Sequence, residues 1–171
     1  MSGVRPARSV RSTAARALAL GAAALGAAVI AGCERPPAAP SPERVRQDFH
    51  LDAYEQDFGY SQAVLIDKTL YISGTVAADA DGRLLAPNDM AGQMRAVYAR
   101  IKRTLAANGV GFDSVVKETL YTTDMTALLK VADLRFDYYS KERLPAVSWV
   151  EVRRLLDPGF LVEIEVVAEL P

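Results

Sequence analysis

The chain has 171 residues, half of them hydrophobic, which suits one domain with a substantial core and leaves too little for two comfortable ones. Its formal charge of −1 is unevenly spread: Arg5, Arg8, Arg11 and Arg16 precede any acid, leaving 16 basic against 21 acidic side chains, a net of −5, beyond residue 32. That mild acidity argues against a phosphate-tracking surface and so against nucleic acid as a partner, while one histidine (His50) and one cysteine (Cys33) cannot build an intramolecular disulfide or a Cys/His metal cluster.

Residues 1–32 read as a targeting segment. The four arginines lead into the apolar run Ala17 to Ile30, shorter than the roughly 20 residues a spanning helix needs but suited to a signal peptide. The run ends Ile30-Ala31-Gly32-Cys33, which resembles the lipobox of bacterial lipoprotein signal peptides. That resemblance implies an acylated Cys33 at a new N-terminus, holding the protein to a membrane in an extracytoplasmic, periplasmic-side location. An ordinary secretory signal or an uncleaved anchor are the alternatives. Residues 33–48 follow as a tether with Pro36, Pro37, Pro40 and Pro42, and the folded domain is expected over 49–171.

Within that domain a short strand is expected at Phe49 to Leu51. Ser61 to Asp67 and Thr69 to Gly74 read as a hairpin turning at Asp67-Lys68, with Tyr71, Ser73 and Thr75 on one face of the second strand. Residues 77–87 form a loop. Met90, Met94, Val97, Tyr98, Ile101 and Leu105 recur at helical spacing after a cap at Asn88 or Asp89, and Gly109 supplies the exit. Val115 to Thr122 is a strand, and Asp124 caps a second helix running to about Lys141. Its inward stripe of Leu128, Val131, Ala132, Arg135 and Tyr139 contains an unexpected arginine.

The last two strands carry the functional question. Leu144 to Val152 alternates, with Val147, Trp149 and Glu151 on one side. Leu161 to Leu170 alternates too, with Val162, Ile164, Val166, Ala168 and Leu170 opposite Glu163, Glu165 and Glu169. Asp157-Pro158-Gly159 suggests an antiparallel hairpin between them, which would place Glu163 on one face with Val147 and Trp149. Helices separated by strands predict an α+β domain, a single sheet with two helices on one face. The other face, carrying Val147, Trp149, Leu161 and Val167, is too apolar to stay wet, so self-association is natural.

Gly59-Tyr60-Ser61-Gln62-Ala63, Ile72-Ser73-Gly74, Gln93, Val116-Lys117, Pro145-Ala146, Val150-Glu151-Val152 and Glu163-Ile164-Glu165 fall in the order and spacing of the RidA (YjgF-like) family, reactive-intermediate deaminases. The resemblance covers about Phe49 to Leu170. It implies a chorismate-mutase-like fold, a homotrimer, small-molecule pockets where subunits meet, hydrolysis of enamines and imines, and no cofactor. By the same resemblance Tyr60 lines the pocket, Ser73 and Gly74 contact substrate, and Glu163 stands near the attacking water as the catalytic residue. As bare residues, a packed tyrosine and a solvated glutamate are the bland alternatives.

The departures from the family pattern bear most on function. Where active members have an arginine gripping the substrate carboxylate, this chain has Val147, which offers neither donor nor charge. Hydrogen bonds to charged groups contribute about 1.5–3 kcal/mol each, so losing a bidentate pair should weaken carboxylate binding by orders of magnitude. The family's asparagine on the second helix is Ala132, and its cysteine is the far bulkier Trp149. Arg135 could reach the pocket and replace the missing cation, or it could snorkel to solvent or pair with Asp133 or Asp137. The sequence therefore predicts a small-molecule-binding protein whose imine deaminase activity on 2-imino acids is lost or altered. The alternative is an active deaminase on a non-carboxylate or Arg135-anchored substrate.

Overall fold

The computed structural model describes residues 44–171, so the signal peptide, Cys33 and most of the tether lie outside the described residues. Six strands form one sheet: β1 (Arg46–Phe49), β2 (Ala63–Ile66), β3 (Thr69–Val76), β4 (Val115–Thr122), β5 (Ala146–Glu151) and β6 (Val162–Glu169). Their spatial order is β1-β2-β3-β6-β4-β5, and every pairing is antiparallel except that of β4 with β5. The domain is α+β with a single mixed sheet, as the sequence predicts. Strand β1 begins at Arg46, inside the stretch assigned to the tether, because Arg46 to Phe49 pairs with Ile66 to Ala63. Among the described residues no helix is long and apolar enough to cross a membrane.

The expected hairpin of the last two strands does not form. Strand β4 lies between β5 and β6, and the reason is burial. Val162, Ile164, Val166 and Ala168 are all buried, so β6 has a fully apolar face to bury and takes the middle of the sheet. Strand β5 has no fully buried position and takes the edge. Its parallel pairing with β4 follows from the helical crossover that connects them.

The core lies between one sheet face and helix α2 (Met90–Ala107), whose Met90, Met94, Val97, Tyr98, Ile101 and Leu105 are all buried. Asp89 caps it by accepting from the Gly92 amide at 3.0 Å, and Gly109 leaves it at φ +75°. A short helix α1 (Tyr54–Asp57), not foreseen in the sequence, precedes β2.

The predicted second helix is broken. Helix α3 (Met125–Lys130), capped by Asp124 on the Ala127 amide at 2.8 Å, stops at Val131, and a 3-10 segment Ala132–Asp137 continues. Asp133 and Asp137 would sit unfavourably in the last turns of a longer helix. The tighter segment is held by Arg135 and Tyr139, which both reach Glu118 on β4.

Strand β3 carries a bulge. Ile72 pairs with Val166 but Thr75 with Ile164, so one extra residue is accommodated at Ser73–Gly74. The phase of alternation reverses there. Thr75 is buried toward the core instead of sharing a face with Tyr71, which is exposed.

Candidate functional site

The bulge organises a site at the end of the sheet. Ser73 is fixed by its amide donating to Gln62 O at 3.0 Å and its hydroxyl donating to Ser61 O at 2.7 Å. Gly74 is needed for space rather than for its backbone angles. A Cβ there would collide with Glu163 Oε1, so the glutamate carboxylate lies directly over the glycine. Val76 pairs with Glu163 across the β3–β6 ladder.

Around this floor is a cavity of about 280 Å³. Tyr54, Phe58 and Tyr60 form one wall, Ser73, Gly74, Val76 and Glu163 the floor, and Leu156 and Phe160 of the β5–β6 loop the opposite wall, with Ala78 and Gly82 at the side. Phe58 and Leu156 are largely exposed at its rim. Burial, and secondarily the neighbouring Glu165, raise the Glu163 carboxyl above its ordinary value. Burial and the Tyr54 hydroxyl hold the Tyr60 phenol well above its usual range, in the neutral form.

The aromatic wall is anchored from below by a buried arginine. Arg100, 3% exposed, donates through Nη2 to Glu55 Oε1 at 2.5 Å, through Nε to Gln62 Oε1 at 3.2 Å, and through Nη1 to Asp52. The Leu51 amide donates to the other Glu55 oxygen at 2.8 Å, and the Tyr60 amide to Glu55 O at 3.0 Å. Gln62 Nε2 donates onward to Thr75 Oγ1 at 3.0 Å, and the Thr75 hydroxyl donates to Ser73 O at 2.9 Å. One hydrogen-bonded chain therefore runs from α2 through the pocket wall to the bulge.

Of the predicted site residues, Tyr60, Ser73, Gly74 and Glu163 converge on this cavity. Val147, Trp149 and Arg135 do not. Val147 pairs with Glu118 and Trp149 with Leu120, and both of those partners are buried toward the helices. Glu163 pairs with Tyr121, whose β5 partner is Val150. Within one chain Glu163 thus shares a face with Val150, and Val147 and Trp149 lie on the opposite face. The broken hairpin is the cause, because a strand set parallel beyond β4 takes a different phase from one paired directly with β6.

Arg135 is neither at the pocket nor at the surface, and its partner is neither Asp133 nor Asp137. It donates to Glu118 Oε2 through Nε at 2.9 Å and Nη2 at 2.5 Å. Its guanidinium carbon lies 5.4 Å from the Tyr139 ring centre and 5.7 Å from that of Trp149. Glu118 Oε1 accepts from Tyr98 at 2.8 Å and Tyr139 at 3.1 Å. With both carboxylate oxygens engaged and the cation enclosed, this is a closed structural cluster.

Sequence reasoning missed Arg100, Glu55, Glu118 and the aromatic partners Tyr54, Phe58 and Phe160. A signal for Arg100 was present: Gln93, Val97, Arg100 and Thr104 form a second stripe on the same helix at steps of four, three and four. Tyr54, Phe58 and Tyr60 crowd the approach to the first hairpin, which marks an aromatic cluster.

Residues 51–170 match a family model described as Endoribonuclease L-PSP. A 2-iminobutanoate/2-iminopropanoate deaminase from Bos taurus is 36% identical over 109 residues, which are 64% of this chain and 78% of that protein. A RutC family protein from Pyrococcus horikoshii is 34% identical over 64% of this chain and 85% of its own length. Among solved structures, a YjgF family member from Mycobacterium tuberculosis superposes with a TM-score of 0.63 at 31% identity, covering 74% of this chain and 100% of that one. RidA from an Antarctic Psychrobacter gives a TM-score of 0.60 at 30% identity over 66% of this chain and 89% of its own.

Proposed function

This chain belongs to the RidA (YjgF) family, and from that premise we propose that it is a small-molecule-binding protein in which hydrolysis of small 2-imino acids is lost or altered. It works as a homotrimer whose pockets are completed where copies meet. It is held by a lipid on Cys33 to the periplasmic side of a bacterial membrane, a location that fractionation of cells carrying the full chain would test. Substrates of the 2-imino acid kind arise beside cytoplasmic dehydratases, so that address also favours a different ligand.

One observation carries the reading: among the described residues lining the cavity there is no cation to grip a carboxylate. Val147 stands at the position after Pro145-Ala146, and Arg135 is held by Glu118 on the other face. Within one copy an acid substrate would therefore meet Glu163 without compensation, and like charges in a half-buried site repel.

A second reading keeps the hydrolysis but changes the substrate, and it is favoured by the raised Glu163 carboxyl, a general base shifted toward neutrality. The carboxylate would take a proton from water as its oxygen bonds to an iminium carbon and the C=N electron pair moves to nitrogen. It would then return that proton to nitrogen. The C–N bond breaks, ammonia leaves, and the hydroxyl proton passes to it, so iminium and water give carbonyl and ammonium.

The test is turnover of 2-iminobutyrate by the full chain, followed as release of ammonia and the 2-oxo acid. The expected rate is no faster than buffer. Rapid, saturable turnover would overturn the proposal.

A further inference from the structure

We infer that the Glu163 cavity selects a positively charged nitrogen on an apolar body, an ammonium or iminium compound without a carboxylate. The inference rests on the function proposed above and names its ligand class.

Three features of the cavity point the same way. The first is the charge on its floor. Glu163 is the acidic group that lines it, and Gly74 is the residue that lets the carboxylate lie there. Glu165, its next neighbour of like charge, accepts from Tyr121 at 3.2 Å. A half-buried carboxylate beside a second acid is a site short of positive charge. The raised Glu163 carboxyl expresses the same deficit, which a bound cation would relieve.

The second feature is the walls. Tyr54, Phe58, Tyr60 and Phe160 surround the space above that carboxylate. Aromatic faces carry negative charge density and attract cations, most strongly where water is excluded. Behind this wall the Arg100 guanidinium carbon lies 5.3 Å from the Tyr54 ring centre, with its charge answered by Asp52 and Glu55. The uncharged phenol of Tyr60 can accept from or donate to a ligand without adding charge.

The third feature is what the rim offers. Phe58 and Leu156 are 65% and 71% exposed, an apolar mouth that favours a hydrocarbon portion on the ligand. The basic groups nearest in sequence to its lining are Arg83, which pairs with Asp79 and Asp81, and Arg153 and Arg154; all three are exposed and do not line the cavity. Within one copy a carboxylate ligand would meet a like charge on the floor and no cation in the lining, which disfavours an anion.

The test compares three small molecules that share a phenyl ring, benzylammonium, benzyl alcohol and benzoate, by calorimetric titration into the full chain at neutral pH. Benzylammonium should bind tightest and benzoate weakest. Glu163→Gln should weaken benzylammonium by roughly tenfold or more, the loss of one charge-assisted hydrogen bond, and weaken the uncharged benzyl alcohol by clearly less. Benzoate binding as well as benzylammonium, no binding of benzylammonium, or an unchanged benzylammonium affinity in Glu163→Gln would each overturn the inference. The three-ligand order on the unaltered chain decides the sign of the selectivity even if the variant does not fold. Benzoate preference without 2-iminobutyrate turnover would sink this inference alone. Rapid 2-iminobutyrate turnover would sink the proposed function beneath it.

Discussion

Replacing Gly74 by alanine separates the site from the fold. The new Cβ would collide with Glu163 Oε1 and lie 2.8 Å from its Cδ and 3.2 Å from its Cγ, and all three nearest atoms belong to that one flexible side chain. Gly74 is not among the residues at positive φ, so alanine meets no backbone penalty there. Forcing Glu163 out of its rotamer costs about 0.5–1.5 kcal/mol, and the reduced freedom of the unfolded chain returns about 0.4–1 kcal/mol. The two nearly cancel, so the melting temperature should move by only about 3 °C in either direction. The carboxyl itself should swing toward water. Carbon-detected NMR titration of Glu163 would then show its pKa fall back toward the ordinary glutamate value, because burial and the nearness of Glu165 both weaken. The sign of the stability profile follows. A carboxyl raised by the fold contributes stability that is complete below its unfolded pKa and is lost as pH rises through the folded value. Gly74→Ala should flatten that loss. A Glu163 titration unchanged from the parent, or a melting temperature lowered by more than about 10 °C, would refute the idea that the glycine exists to seat this carboxylate.

Two further outcomes follow from the arrangement of charges. Arg135→Met should destabilise the fold by about 3–5 kcal/mol, the cost of leaving a buried partner charge unanswered; denaturant unfolding measures it, and a loss under about 1 kcal/mol would show that the tyrosines alone satisfy Glu118. Val147→Arg should improve binding of 2-oxobutyrate, read by calorimetry. Because residue 147 lies across the sheet from Glu163 in one chain, the gain requires a second copy to supply it, and an unchanged affinity would refute that subunit arrangement.

Helix α2 was legible from the sequence because its stripe and both caps are local features. The alternation of β6 was legible for the same reason, since its four buried positions repeat at a fixed period of two. The placement of β5 was not, because a strand's neighbours are set by competition for burial among strands far apart in sequence. A turn-like Asp-Pro-Gly looked like a hairpin when it was part of a longer loop passing the end of β4. That single misplacement carried Val147 and Trp149 to the wrong face. The four residues that converge on the cavity were identified through a family likeness. The physical reason for Gly74, room for the carboxylate of Glu163 far onward in the chain, appears only in three dimensions. Arg135 shows the same limit: its partner Glu118 lies on another element, while the sequence offers nearer acids on its own.

The hydrogen-bonded anchor at Arg100 also bears on how a guest gets in. Its bonds fasten the backbone and side chains behind Tyr54 and Tyr60 to helix α2, through Asp52, Glu55 and Gln62. A partition secured this way is a poor door, since swinging it aside would strand a guanidinium in the interior. Entry and departure should therefore pass over the opposite threshold, between Phe58 and Leu156, where side chains already stand in water.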